Sequence, residues 1–149
     1  MIEPEISFAN LEDVMQLAED YVRYCCKHVL EHNLEDLKQI DDYNEREQKL
    51  AEKSKSKTTE ENSRTFTEPA VTRLQAVAET GFKRISYTEA IDVLIKSGKQ
   101  FVEEVSWGID LSSEHERFLA EEIFHGPTII YNYPKDIKAF YMRQNEDGK

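Results

Sequence analysis

The chain has 149 residues, of which 33% are charged and 39% hydrophobic, and its net charge is −11 from 19 basic and 30 acidic residues. This length suits one domain with a substantial core. The excess of acidic residues argues against generic binding of the phosphate backbone of a nucleic acid, which needs a basic protein surface. No apolar run approaches the roughly 20 residues of a membrane-spanning helix.

The N-terminal segment alternates in the manner of a strand. Its apolar residues and Pro4 share one face, and Glu3 and Glu5 lie on the other. We therefore predict a strand over residues 1–8.

A long amphipathic helix is predicted next. Asn10 caps a helix that starts at Leu11, with Asp13 as the capping-box partner, and the helix ends near His32 and Asn33. Apolar residues recur at three- and four-residue steps and form a stripe that we expect to be buried: Val14, Leu17, Ala18, Tyr21, Val22, Cys25, Val29 and Leu30.

The two cysteines, Cys25 and Cys26, are adjacent on this helix. Neighbours on a helix point about 100° apart, so the two thiols neither bridge each other nor share a metal. Two free thiols without a disulfide framework are typical of a reducing, cytoplasmic compartment.

A weaker second helix is predicted from Leu34 to about Leu50 and leads into a polar stretch. Residues 44–64 contain almost no apolar side chains and carry an SKSK repeat. Such a composition cannot bury enough surface to order itself tightly. We predict a mobile surface insertion at about residues 44–66, whose lysines (Lys53, Lys55 and Lys57) fit a solvated loop better than a phosphate site.

A third helix, a short strand and a fourth helix are predicted between residues 67 and 98. Pro69 lies in the first turn of the third helix, and residues 82–86 form the strand. Ser86 and Glu89 make a capping box for a helix that runs to about Ser97. The residues predicted to face the core are Val71, Leu74, Val77 and Ala78 in the third helix and Ala90, Ile91 and Leu94 in the fourth.

The last third of the chain carries a loop, a helix and two strands. Trp107 is the large apolar anchor of the loop, and Ser113 with Glu116 starts a helix that ends at Phe124. Strands are predicted over residues 128–133 and 138–143, joined by a turn at Pro134, Lys135 and Asp136.

These elements lack the regular βαβ rhythm of a parallel sheet. The predicted fold class is therefore α+β, an antiparallel β-sheet flanked by helices. We expect residues 1–8 and 138–143 to lie in one antiparallel layer. Strands at both ends, with a hairpin signal at Asp147 and Gly148, indicate a piece of a larger domain.

Candidate chemistry is sparse. Glu3 and Glu5 could hold an ammonium or amide group, or form a solvated strand face. Tyrosines at 131, 133 and 141 could line a polar pocket or pack in the sheet, and Lys138 could bind a carboxylate or a phosphate or be a surface lysine at a strand end. His115, in the first turn of a helix, fits a structural role.

No catalytic or metal-ligating set is predicted. The chain has no C-x-x-C, H-E-x-x-H, Gly-rich phosphate loop or nucleophile elbow. His28, His32 and His125 show no spacing typical of a ligand set. Composition and periodicity therefore define a fold class without naming a function.

Four stretches resemble asparaginyl-tRNA synthetase, a class II aminoacyl-tRNA synthetase of the aspartyl/asparaginyl subgroup. They are MIEPEISFANLEDVMQLAEDYVRY, FKRISYTEAIDVL, WGIDLSSEHERFLAEEIF and GPTIIYNYPKDIKAFYMRQNEDGK. The combination of EHERFL with YNYPKDIKAFYMR is the most specific. The resemblance implies that residues 1–149 are an internal fragment of a class II catalytic domain, between the second and third signature motifs and without the ATP-handling residues.

The resemblance also implies a function. The parent would be a cytoplasmic, homodimeric asparagine–tRNA ligase with no membrane partner, which uses ATP and Mg²⁺ to form asparaginyl-adenylate and then charges tRNA(Asn). It places Glu3, Tyr141 and Lys138 at the asparagine pocket. The fragment itself would bind neither ATP nor Mg²⁺ and would be inactive alone.

Two rivals stay open beside this interpretation. One is an asparagine synthetase-like relative of the same fold, and the other is a truncated, non-catalytic paralogue that acts as an interaction protein. The preference for asparagine over aspartate as substrate rests on the amino-acid sequence of the matched stretches.

Overall fold

A computed structural model describes residues 2–54 and 68–145, with the side chains of residues 51–54 left out. The chain divides into two compact units, Met1–Glu79 and Thr80–Lys149. Each unit has its own buried residues.

The first helix of the first unit, α1, spans Leu11–His32 and confirms the predicted start. The Asn10 side chain accepts a hydrogen bond from the Asp13 N–H at 3.0 Å, and the Asp13 carboxylate accepts one from the Asn10 N–H at 2.9 Å. This reciprocal pair satisfies amides that a helix start leaves without intrahelical partners. The helix ends at Asn33, whose N–H donates to the Val29 carbonyl at 2.8 Å.

Two further helices complete the first unit. Helix α2 spans Leu34–Ser54 and α3 spans Ala70–Glu79. Residues 44–54, predicted as the start of the polar stretch, continue α2, and residues 55–67 lie outside the described ranges, so the insertion stays a prediction. The Asp41 carboxylate accepts a hydrogen bond from the Ala70 N–H at 2.6 Å, so α2 caps the start of α3.

The buried side of α1 differs from the predicted stripe. Its buried residues are Met15, Glu19 and Cys26, whereas the stripe residues Val14, Leu17, Tyr21 and Val22 are between 38% and 48% exposed. Helix α1 packs against α3. Apolar periodicity defines a hydrophobic sector, but the position of the packing partner decides which part of that sector is covered.

The described part of the second unit contains a strand pair, two α-helices, a π-helical turn and a short 3₁₀ helix. Strand β1 spans Lys83–Ser86 and β2 spans Thr128–Tyr131, and the two pair in parallel, with Lys83 opposite Thr128. The α+β class is confirmed, whereas the antiparallel expectation is wrong for this pair. Parallel neighbours require a long crossover, and here the chain passes through a helical connection before it returns to β1.

Helix α4, Tyr87–Lys96, follows β1 directly and supplies half of the core residues of the second unit. Its predicted capping box is present, because the Glu89 N–H donates to Ser86 Oγ at 3.3 Å and the Glu89 carboxylate accepts from the Ser86 N–H at 3.1 Å. The core residues are Ile85, Tyr87, Ala90, Ile91, Leu94, Leu111, Phe118 and Leu119.

The helix predicted to follow Ser113 begins at Ser113 itself, one residue earlier than predicted, and changes from α-helix to π-helix at Phe118. Helix α5 spans Ser113–Arg117 with Ser112 as its N-cap. The Ser112 N–H donates to His115 and not to Glu116, while the Ser112 hydroxyl is buried without a hydrogen-bond partner. Phe118–Ile123 forms a π-helical turn, in which the Phe124 N–H donates to the Leu119 carbonyl at 2.9 Å. That bond spans five residues instead of the four of an α-helix.

Two predicted strands are absent from the described residues. Residues 2–6 are irregular and residues 7–8 form a turn, while Met1 lies outside the described ranges. Residues 138–143 form bends and a turn after a short 3₁₀ helix, Lys135–Ile137. The expectation that both segments share one antiparallel layer is therefore wrong. Alternation fixes which face a side chain takes once the chain is extended, but a strand also needs a hydrogen-bonded neighbour.

Candidate functional site

The three residues predicted at the asparagine pocket fall in different units. Glu3 lies in the irregular segment that precedes α1 and is exposed, as is Glu5. Lys138 and Tyr141 follow the 3₁₀ helix of the second unit. The Tyr141 side chain is exposed and its ring lies edge-on to Phe140, with ring centres 5.6 Å apart.

Lys138 is a cation held in a defined place. Its Nζ lies 3.3 Å from Asp110 Oδ1 and 4.1 Å from the centre of the Tyr133 ring. The carboxylate and the aromatic face both attract the ammonium group. Lys138 is therefore not a free strand-end lysine, and its side chain is positioned by two partners.

The loop that supplies Asp110 is fixed to α4 by Tyr87. The Tyr87 hydroxyl, fully buried, donates to the Ile109 carbonyl at 2.7 Å and accepts from the Gly108 N–H at 2.9 Å. Burial raises the pKa of this hydroxyl. The Trp107 indole donates to Thr88 Oγ1 at 3.2 Å.

The predicted loop anchor is thus different from the observed one. Trp107 is 54% exposed and meets the Tyr87 ring edge-on at 6.1 Å. The buried groups that hold this part of the chain are Tyr87 and Leu111. The fixed loop in turn determines where the Asp110 carboxylate meets Lys138.

Tyr133 serves packing. Its ring lies against Tyr87, with centres 5.1 Å apart, and beneath the Lys138 ammonium. Burial, with the negative charges of Glu116 and Asp110, raises the pKa of Tyr133 to about 12. The hydroxyl is therefore neutral throughout the physiological range.

His115 is a buried structural residue. Its Nδ1 accepts a hydrogen bond from the Ser112 N–H at 3.3 Å, so the neutral ring carries its proton on Nε2, which donates to the Glu103 carbonyl at 3.1 Å. The ring also meets Phe101 edge-on at 4.9 Å. With both nitrogens engaged by backbone groups, His115 links α5 to the preceding loop.

Within residues 2–54 and 68–145, no group of three or more His, Cys, Asp or Glu side chains is placed so that it could hold a metal ion. A pair does form, however. The rings of His28 and His32 have centres 4.5 Å apart on α1. The signal in the sequence is their four-residue spacing, which a search for complete three-ligand motifs misses.

In the part of the chain that the structure describes, no helix is both long and apolar enough to cross a bilayer.

Comparison with known proteins defines the class. Residues 1–149 match the family of class II tRNA synthetases (D, K and N). The chain belongs to this family, although the two terminal strands predicted with the resemblance are absent from the described residues.

Similar proteins over the full length of the chain are asparagine–tRNA ligases. Those of Mannheimia succiniciproducens and Histophilus somni are 47% and 49% identical over 149 residues, and each alignment covers 100% of this chain and 27% of the relative. The crystal structure of asparaginyl-tRNA synthetase from Pyrococcus horikoshii complexed with asparaginyl-adenylate matches with a TM-score of 0.65 at 31% identity, over 94% of this chain and 25% of that one. The chain thus spans about a quarter of the length of the relatives it matches.

Proposed function

We propose that the protein containing this chain is an asparagine–tRNA ligase, which activates asparagine with ATP and transfers it to tRNA(Asn). The observation that carries the proposal is the identity of 47% or more, over all 149 residues, to ligases of that specificity. The activity belongs to the whole protein, because the matched region is 27% of those relatives. A cytoplasmic location and a homodimeric parent are parts of the same proposal.

ATP and Mg²⁺ are the cofactors that the family implies. The described residues offer no carboxylate cluster that fits Mg²⁺, and a net charge of −11 is unfavourable for a triphosphate. We therefore assign no step through ATP or Mg²⁺ to residues of this chain. Its proposed contribution is recognition of the amino acid.

Glu3 has the chemistry for that recognition. An ionised carboxylate accepts hydrogen bonds only, so it can bind the α-ammonium group or the side-chain amide of asparagine. If it binds the amide, it also repels the side-chain carboxylate of aspartate, and this repulsion contributes to specificity. If it binds the ammonium group, it favours both amino acids equally.

Lys138 and Tyr141 are the other proposed contacts with asparagine. The ammonium group of Lys138, positioned by Asp110, suits the substrate carboxylate. The exposed hydroxyl of Tyr141 can donate or accept a hydrogen bond.

The function is tested by asparagine-dependent ATP–pyrophosphate exchange in the whole protein, with aspartate as the competing substrate. We expect exchange with asparagine and a kcat/KM at least about a hundredfold lower with aspartate. The isolated 149-residue chain should give no exchange above background. Asparagine formation from aspartate, ATP and ammonia would instead identify a synthetase-like relative, and absence of both activities would identify a non-catalytic paralogue.

The recognition residues are tested with matched pairs of variants. Glu3→Gln should raise KM for asparagine by about 10- to 100-fold, the effect of losing a charge-assisted hydrogen bond, while Glu5→Gln should leave KM unchanged. Lys138→Met should raise KM and Lys135→Met should not. Equal effects within either pair would reject the assignment of that residue.

A further inference from the structure

The last turns of α1 carry two histidines on one face. His28 and His32 are four residues apart, and both are exposed to solvent. Their ring centres are 4.5 Å apart, with the ring planes tilted by 49°. Tyr24, one turn earlier, stacks on His28 with centres 6.1 Å apart. The two imidazoles are thus neighbours on a capped helix.

The separation of the two rings suits a shared metal ion. An imidazole nitrogen about 2.0–2.1 Å from a metal places the ring centre about 3.2 Å from it. If the two metal–nitrogen bonds form a right angle at the metal, the ring centres lie about 4.5 Å apart. If they form a tetrahedral angle, the ring centres lie about 5.2 Å apart. The observed 4.5 Å between ring centres equals the right-angle separation, and coordination additionally requires one nitrogen of each ring to turn toward the metal.

We propose that His28 and His32 form a two-histidine surface site for a divalent transition metal, with water in the remaining positions. Imidazole suits copper, nickel and zinc, and affinity at a given site rises to Cu²⁺ and falls again at Zn²⁺. Right-angle geometry is the preference of tetragonal Cu²⁺. The site therefore binds Cu²⁺ more tightly than Zn²⁺.

The surroundings favour a cation. Glu31 Oε2 lies 3.8 Å from His32 Nε2, so a carboxylate stands beside one ligand. The two histidines occupy the C-terminal end of α1, where the helix dipole is negative. The net charge of the chain, −11, also attracts a cation.

The role of the site is structural binding, not catalysis. The order of residues, His28-Val29-Leu30-Glu31-His32, resembles a helix spacing that holds zinc in metalloproteases, where a third protein ligand completes the site. Within the described ranges no third ligand joins the pair. A bound ion would instead tie together two successive turns of α1 just before Asn33, the residue between α1 and α2.

The test uses the whole protein that contains this chain, purified without a polyhistidine tag and titrated with Cu²⁺ and with Zn²⁺ by calorimetry. The variants are His28→Asn, His32→Asn and the double variant, with His125→Asn as control, since His125 is exposed and lies in the second unit. Far-UV circular dichroism shows that each variant is folded.

We expect the wild type and His125→Asn to bind one more Cu²⁺ per chain than the double variant. Each single variant should bind at that site at least tenfold more weakly, and Zn²⁺ should bind more weakly than Cu²⁺. Electron paramagnetic resonance of the Cu²⁺ complex should show two imidazole nitrogens in the wild type and one in a single variant. The metal should also raise the Tm of the wild type and not that of the double variant.

Equal Cu²⁺ stoichiometry in the wild type and the double variant would overturn the proposal. Unchanged affinity in either single variant, or tighter binding of Zn²⁺ than of Cu²⁺, would do the same. Because the pair takes no part in the proposed recognition of asparagine, charging of tRNA should be unaffected in all these variants, and the two proposals can fail separately.

Discussion

Removing one buried hydroxyl should weaken the second unit measurably. Tyr87→Phe keeps the ring that packs among the core residues and deletes the hydroxyl that joins the Ile109 carbonyl and the Gly108 N–H. The perturbation is therefore limited to two hydrogen bonds between α4 and the loop that carries Asp110.

The expected magnitude follows from the surroundings of the two backbone groups. A buried polar group left without its partner costs about 1–3 kcal/mol. Gly108 and Ile109 are only half-buried, so water relieves part of that cost. We expect the free energy of unfolding to fall by about 2 kcal/mol in total. For the 149-residue chain that corresponds to a decrease in Tm of about 4–8 °C.

The assay is urea unfolding of the 149-residue chain followed by tryptophan fluorescence. Trp107 is the only tryptophan, and its ring meets Tyr87 edge-on, so the signal reports this unit. Tyr43→Phe, at an exposed position on α2, is the matched control. A free energy of unfolding for Tyr87→Phe within 0.5 kcal/mol of wild type, roughly the effect of an ordinary surface change, would refute the reasoning. An equal loss in Tyr43→Phe would do so too.

Two further predictions concern titrating groups. Burial, and to a smaller extent Cys25, raises the pKa of the Cys26 thiol, so iodoacetamide at pH 8 should label Cys25 first and leave a slow thiol in Cys25→Ser; equal rates in the folded protein would contradict this. The pKa of Tyr133 is raised to about 12, so its contribution to stability is complete below the ordinary value near 10 and is lost as pH rises toward about 12. Because burial also raises the pKa of Tyr87, Tyr133→Phe should make the alkaline decline in urea unfolding smaller without abolishing it, and an unchanged decline would argue against the assignment to Tyr133.

Local hydrogen bonding made parts of the fold predictable from sequence. The capping boxes at Asn10 and Ser86 involve residues three apart, so the helix starts could be predicted to the residue. The helix start at Ser112 could not, because the Ser112 N–H donates to His115, which accepts through Nδ1 in place of the expected carboxylate, and the Ser112 hydroxyl makes no hydrogen bond. A neutral imidazole has the same acceptor function but is absent from the usual sequence signature.

Non-local pairing accounts for the wrong predictions. Residues 1–8 and 138–143 have strand-like sequences, yet strand formation depends on a neighbour that no local pattern can supply. The parallel register of β1 and β2 likewise depends on the route of the intervening chain. The exposed stripe of α1 has the same origin, since the packing of α2 and α3 against α1 decides which of its residues are buried.

The candidate site residues likewise differ in whether local sequence could have predicted their contacts. Glu3, Lys138 and Tyr141 came from the family resemblance, and their contacts with substrate remain predictions. The partnership of Lys138 with Asp110 joins residues 28 positions apart and has no sequence signal. The pair His28 and His32, by contrast, is local, and its four-residue spacing could have revealed it.

The π-helical turn at Phe118–Ile123 makes chain length a structural determinant. The wide turn accommodates one more residue than an α-helical turn would, and it lets the adjacent side chains of Phe118 and Leu119 both reach the core. Deletion of a single residue there would restore α-helical winding and rotate the preceding and following side chains relative to each other by about 100°. Replacement of an exposed side chain such as Glu121 keeps the number of residues in the turn, whereas a deletion changes which side chains face the core.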